Sequence, residues 1–231
     1  MSYSLTCSDG VPLDLKMDKL FHGKRDGFFI ELGAYDGLTQ SNTAFFEFTR
    51  GWTGVLVEPS VEQYAKCSLA RPKSRCFNYA CVSDLYKDEY ISGDFTSGLM
   101  SSVTGRVEEG KTAVPAKPLG QILDSIPNIP TIDFISLDVE GYEQDVLEGL
   151  NLEKYRPTYM LIEVYKHKFN ELTFFLDNHG YSLVKNMSMY NHETNPIWDG
   201  LHNDYLFVND AHPSAQAWGS ETGRNRDNRE S

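Results

Sequence analysis

The sequence has no run approaching the roughly 20 uninterrupted apolar residues that span a bilayer. Its opening, Met1-Ser2-Tyr3-Ser4-Leu5-Thr6-Cys7, lacks the basic-then-apolar pattern of a secretory leader. Together these absences set the expectation of a cytoplasmic protein with no membrane segment. Cysteine is scarce: Cys7, Cys67, Cys76 and Cys81 show no Cys-x-x-Cys spacing and read as reduced thiols rather than a disulfide framework. Positive charge is short as well. With 21 Lys and Arg against 33 Asp and Glu the net charge is −12, whereas binding a nucleic-acid backbone draws on Lys and Arg that neutralise phosphates. No nucleic-acid partner is expected, and the basic stretch from Arg71 to Arg75 reads as solvated surface.

What is present suffices for one packed domain: 231 residues, 40% hydrophobic, with 13 Phe and 13 Tyr. Residues 1–27 read as a lead-in segment whose stretch from Leu13 to Phe21 suits an amphipathic helix, residues 28–210 as the domain, and residues 211–231 as a polar, disordered tail. Continuous apolar runs at Phe28 to Leu32, Thr53 to Glu58, Ile132 to Asp138 and Tyr159 to Val164 predict strands buried on both faces, with a further strand at Arg75 to Tyr79. Between them, helices are predicted over Thr39 to Arg50 with Thr39 or Ser41 as cap, Val61 to Leu69, Lys117 to Ile126, Tyr142 to Leu150 and His167 to Asn178. Tyr181 to Val184 and Tyr205 to Val208 predict an antiparallel finish, and residues 80–115 carry no clear pattern. The alternation implies an α/β domain: a mainly parallel sheet with helices on both faces and right-handed crossovers.

In such a sheet, ligands bind beyond the carboxyl ends of the strands. The first end reads Glu31-x-Gly33-x-x-x-Gly37, where glycines permit a tight turn and close approach to a ligand. Glu58, at the end of the second, has the position of a carboxylate that accepts both hydroxyls of a ribose. A dinucleotide fingerprint G-x-G-x-x-G is missing: the turn reads Gly33-Ala34-Tyr35-Asp36-Gly37, and Asp36 would repel a pyrophosphate. Acidic Glu31 and Asp36 suit a cofactor with an ammonium and a sulfonium, as in S-adenosylmethionine.

The segments Gly27 to Gly37, Ser41-Asn42-Thr43, Gly51-Trp52-x-Gly54-Val55-Leu56-Val57-Glu58-Pro59 and Ile135-Ser136-Leu137-Asp138-Val139-Glu140-Gly141 resemble the FkbM-type methyltransferases. Asn203 to Val208 is similar to that family's closing strand, and the resemblance spans roughly residues 20 to 209. It implies a Rossmann-like seven-stranded methyltransferase sheet with a reversed hairpin at one edge, making residues 28–210 an S-adenosylmethionine-binding domain that methylates a hydroxyl on a small molecule, sugar or glycan. It further implies that Glu31, Gly33, Ala34, Tyr35, Asp36, Gly37, Ser41 and Asn42 surround the methionine part. Glu58 and Pro59 fall at the ribose, Asn78, Ala80 and Ser83 near the adenine, and Asp138 and Glu140 where the methyl group meets the acceptor.

Methyl transfer to a hydroxyl needs its proton removed, by a positioned base or after metal coordination. One expectation has His167 as base, oriented by Asp138 or Glu163, with His192 and His202 as rivals. The other has Asp138, Glu163 and His202 holding Mg²⁺ or another divalent cation. Asp138 could instead cap the next helix, and Glu163 could pair with Lys166 or Lys168. Tyr165, Tyr190, Trp198 and Tyr205 are candidates to stack on an acceptor, Ser97-Gly98 and Ser101-Ser102 to line it or to serve as turns, and Lys185 to Asn203 to cover it. Two alternatives stay open: a catalytically inactive cofactor-binding scaffold, and an NAD-dependent oxidoreductase, since Glu58 would equally hold that ribose.

Overall fold

The computed structural model describes residues 1–94, 102, 103, 112–196 and 198–215; Ser97, Gly98, Ser101 and residues 216–231 of the predicted tail lie outside the described residues. In chain order the elements are α1 (Leu13–Leu20), β1 (Phe28–Leu32), a π-helical turn (Phe46–Arg50), β2 (Thr53–Val57), α2 (Val61–Ala70), β3 (Arg75–Phe77), β4 (Ala80–Val82), β5 (Tyr90–Asp94), β6 (Ser102–Val103), β7 (Thr112–Pro118), α3 (Leu119–Asp124), β8 (Phe134–Leu137), α4 (Glu143–Glu148), β9 (Tyr159–Tyr165), α5 (Phe169–Asn178), β10 (Tyr181–Asn186) and β11 (His202–Asn209).

Seven strands form the main sheet in the order β10-β11-β9-β8-β1-β2-β3. β3, β2, β1, β8 and β9 run parallel, while β11 inserts antiparallel to both β9 and β10. This is the mostly parallel seven-stranded sheet with a reversed edge hairpin that was expected. Side chains alternate across each strand, so β1 sends Ile30 and Leu32 into one core and Phe29 into another. The first core packs the sheet against Leu119, Leu123, Val146, Leu147, Leu172 and Leu176 of α3, α4 and α5. The second gathers Phe46, Trp52, Leu56 and Phe134 with Cys7, Leu13 and Met17, so the lead-in helix packs into the domain.

The stretch with no clear pattern holds a smaller sheet, β4-β7-β5-β6. Its β7 runs through Pro118, across the start expected for a helix at Lys117; pairing of Ala80, Cys81 and Val82 with Ala116, Lys117 and Pro118 decides the conformation there. The expectation of a solvated basic surface from Arg71 to Arg75 is overturned at its first residue, because Arg71 has no solvent exposure at all. No helix among the described residues is long and apolar enough to cross a membrane.

Candidate active site

Glu31 leaves β1 on the same face as Phe29, toward the π-helical turn and α2, and there meets Arg71. The Arg71 guanidinium donates to Glu47 Oε2 (3.0 Å), the Gly37 carbonyl (2.9 Å), Thr43 Oγ1 (2.9 Å) and Ser41 Oγ (3.2 Å), and lies 3.4 Å from Glu31 Oε2. Glu31 also accepts the hydroxyls of Ser41 and Thr43 and the Asn42 N–H. Ser41 in turn caps the following turn, accepting the Ala44 N–H at 3.0 Å. The network is fully buried, so its charges must pair internally. It braces the loop from Gly33 to Asn42.

That loop wraps one end of a cavity of about 390 Å³ at the carboxyl ends of the main strands, within the range of small-molecule sites. Gly33 is required by close approach: a Cβ there would stand 1.9 Å from the Asp138 carbonyl oxygen, and its φ is +76°. Glu58, 6% exposed, accepts the Tyr35 N–H at Oε2 and the Ser60 N–H at Oε1, both at 2.8 Å. Burial pushes its carboxyl up, against those two hydrogen bonds. Asn78 donates to the Glu58 and Pro59 carbonyls at 2.8 Å and holds this bend.

Asp138, at the end of β8 beside Gly33, is followed along the strand ends by Glu163 on β9 and His202 and Asp204 on β11, and Glu140 and Tyr190 line the cavity with them. Capping of the α4 turn falls to Glu143, which accepts the Val139 and Gly141 N–H groups, so Asp138 faces the cavity. Glu163 meets neither Lys166 nor Lys168: its Oε1 lies 3.4 Å from His202 Nε2, Lys166 lies over the Trp198 ring and Lys168 donates to the Gly141 carbonyl. Antiparallel pairing sets Asp204 directly opposite Glu163. Desolvation, then repulsion from neighbouring carboxylates, raises the Asp138 and Glu163 carboxyls. Asp138 keeps an open face, where solvent offsets desolvation, so repulsion is the more durable cause there. Burial raises Asp204 to about 6, opposed by its Ser188 hydrogen bond.

Of the residues singled out in the sequence, Glu31, Gly33, Ala34, Tyr35, Ser41, Asn42, Glu58, Pro59, Ala80, Asp138, Glu140, Glu163 and His202 line this one cavity. Others are placed elsewhere. Asp36 turns away to accept the N–H groups of Leu38 and Thr39 and the Thr39 hydroxyl; burial alone would raise its carboxyl, but these bonds outweigh that and lower it. Gly37 packs on Arg71 and Cys67, and Asn78 and Ser83 are absent from the lining. His167 is exposed and outside the cavity. Among the aromatic candidates Tyr190 lines the cavity, whereas Tyr165 donates to Glu140 Oε2, Trp198 to the His202 carbonyl, and Tyr205 packs on Phe169.

Sequence reasoning missed Tyr79, Cys81, Tyr142 and Asp204 in the lining; only Asp204, inside the quoted Asn203 to Val208 segment, carried a signal. The expected divalent cation finds no support: among the described residues no three His, Cys, Asp or Glu side chains are grouped to hold a metal ion, Asp138, Glu163 and His202 included. Three buried side-chain atoms of the lining lack a hydrogen-bond partner, Asn42 Oδ1, Glu163 Oε2 and Tyr190 Oη, while His202 Nδ1 lies 3.6 Å from Asp199 Oδ1. Buried polar groups rarely stay unsatisfied, so the cavity is built for a polar occupant.

Comparison with solved structures places several methyltransferases near this chain. M. capricolum TrmK, in complex with S-adenosylhomocysteine, shares 9% identity over 85% of this chain and 68% of its own, with a TM-score of 0.48. Aeropyrum pernix fibrillarin with natively bound S-adenosylmethionine shares 12% over 80% and 67%, at 0.48. A putative RNA methyltransferase from Pyrococcus horikoshii shares 10% over 85% and 81%, at 0.43. Likeness of this size adds nothing to the sheet order described above. No curated protein matched. The methyltransferase FkbM domain, in contrast, matches residues 31–183, more than half of the chain and all of the strand ends that build the cavity except that of β11. The chain therefore belongs to the FkbM methyltransferase domain family.

Proposed function

We propose that the protein binds S-adenosylmethionine and methylates a hydroxyl of a small molecule, sugar or glycan. The observation that carries this reading is the cavity along the strand ends, with Glu58 on the β2 side, Glu163, Asp204 and His202 on the β9 and β11 side, and unpartnered buried polar atoms in its lining. The residues fit the cofactor. Each Glu58 oxygen holds one backbone N–H and keeps a lone pair for one ribose hydroxyl. Asn42 Oδ1 is a free acceptor for the ammonium of the methionine part, while Tyr79, Ala80 and Cys81 offer a wall for the adenine. When bound, the cofactor supplies a methyl group on a sulfonium, which departs as a neutral thioether.

The acceptor is placed at the β9 and β11 end. Its oxygen bonds to the methyl carbon as its proton passes to the His202 imidazole, which Glu163 holds by one edge. His202 thus takes the role that the sequence suggested for His167, because it lines the cavity and His167 does not. Calorimetry with S-adenosylhomocysteine and NAD tests the cofactor; saturable binding of NAD alone would falsify the reading. Release of S-adenosylhomocysteine across a panel of sugars and polyols tests the reaction. His202→Ala should lower kcat by about 10²- to 10⁴-fold and His167→Ala should leave it unchanged. Tight cofactor binding with no turnover on any acceptor would instead favour the scaffold.

A further inference from the structure

Six carboxylates line the cavity, Glu31, Glu58, Asp138, Glu140, Glu163 and Asp204, and no lysine or arginine does among the described residues. Each already has a partner. Glu31 is paired with Arg71, Glu58 is held by two backbone N–H groups, and Glu140 accepts the Tyr165 hydroxyl at 2.6 Å. Asp204 is held by Ser188, Glu163 meets His202, and Asp138 shares a hydrogen bond with Glu163; these last three come from the ends of three adjacent strands, β8, β9 and β11. Like charges directly opposite one another across a strand pair repel, and Glu163 and Asp204 are such a pair. His202 alone offers basic character at this end, on Glu163 Oε1.

A second, independent observation points to what is missing. Tyr190 is 6% exposed, yet its hydroxyl has no partner and lines this end of the cavity, as does the unpartnered Glu163 Oε2. The ring is held in place rather than loosely packed: Asn203 Oδ1 accepts the Tyr190 N–H at 2.7 Å and the Ser188 hydroxyl at 2.9 Å, and Ser188 Oγ accepts the Asp204 N–H at 2.8 Å. Glu58 on the β2 side and Asp204 on β11 are four strand spacings apart, about 19 Å at about 4.8 Å each. The cluster therefore lies toward the acceptor and away from the ribose end.

We propose that the acceptor carries an ammonium group, seated between Glu163 Oε2 and the Tyr190 hydroxyl on the side of the cavity that Asp138 and Asp204 make acidic, beside the hydroxyl that is methylated. An ammonium brings three donors and a positive charge, so it satisfies Glu163 Oε2 and Tyr190 Oη and relieves the repulsion between the carboxylates. A neutral polyol supplies the donors without the charge, and an anionic acceptor is repelled. The inference rests on the methyltransferase reading and specifies its substrate class.

The test uses the full chain saturated with S-adenosylhomocysteine, whose own binding is measured first; its absence counts against the methyltransferase reading. Calorimetric affinities are then compared within two matched sets: glucosamine, glucose and glucuronate, and ethanolamine, ethylene glycol and glycolate. The amine of each set should bind at least tenfold more tightly than the neutral member, with no binding of the anion. Glu163→Gln and Asp204→Asn should each cut that preference to below threefold, with retained S-adenosylhomocysteine binding reporting that the variant is folded. Equal or better binding of the neutral or anionic members, or no binding of either amine, overturns the ammonium inference alone. So does a variant that weakens S-adenosylmethionine selectively over S-adenosylhomocysteine, since the carboxylates would then serve the sulfonium.

Discussion

Arg71 lies between Glu31 and Glu47 with no solvent exposure, and its guanidinium also reaches Gly37, Ser41 and Thr43. Removing one partner of a buried ion pair strands the rest, at a cost of about 3–5 kcal/mol. Arg71→Ala should lose stability on that scale in urea denaturation, and the loop from Gly33 to Asn42 should lose its brace. A loss below about 1 kcal/mol, the range of surface pairs, would show that the network is not structural. The sequence pointed the other way at this residue. Partners of Arg71 lie 24 to 40 residues earlier in the chain, so a local basic stretch carries no trace of them. Glu31 changes meaning for the same reason: its position at a strand end was legible, but its saturation by Arg71, Ser41, Asn42 and Thr43 was not.

At the scale of elements, the edge hairpin of β10 and β11 is where fold and acceptor chemistry meet. Of the described residues between these strands Tyr190 lines the cavity, and its segment is latched by the Ser188 and Asn203 bonds and by Lys16, which donates to the Met187 carbonyl at 2.6 Å. Asn203→Ala releases Ser188 and the Tyr190 N–H together. The expected outcome is a stability loss of about 1–3 kcal/mol and a rise in acceptor KM, with S-adenosylhomocysteine affinity held. An equal fall in cofactor affinity would mean that the latch supports the whole cavity. Main-sheet strands were legible because a strand covered on both faces must be apolar throughout. β4 to β7 were not, because their short pairings with Lys117, Pro115 and Thr112 look like loop until the partner strand is present.

Across the whole molecule, the carboxyls of Glu58, Glu140, Glu143, Glu163 and Asp204 are all raised, each first by burial, and Asp138, with its open face, is raised beside its neighbouring carboxylates. A raised folded-state value means the folded chain binds more protons than the unfolded one, so stability falls as pH rises from the ordinary carboxylate range, near 4, through the folded values. For Asp204 that window closes at about 6, and its share is up to about 3 kcal/mol. Thermal midpoints should therefore fall between pH 5 and pH 8, and Asp204→Asn should flatten the part below about pH 6. A midpoint that climbs over this range would contradict the burial of these groups. Saturating S-adenosylhomocysteine should raise the midpoint at every pH, adding about 2.7 kcal/mol of stability at a hundredfold excess over Kd.

The sequence alone determined the order of the main-sheet strands, the reversed hairpin, the glycine turn and the acids at the strand ends. Each is a local requirement: apolar runs to be buried, glycine at a positive φ, a polar residue where a strand meets a loop. Only the tertiary structure decided which acids are held by their own fold and which face the cavity. Glu31 and Asp36 are occupied by their own fold, whereas Glu58, Asp138, Glu163 and Asp204 open on one cavity. The physical reason is that a carboxylate's role depends on which donors reach it in space. Those donors come from Arg71, Tyr165 and His202, which the chain brings alongside only when the sheet has closed.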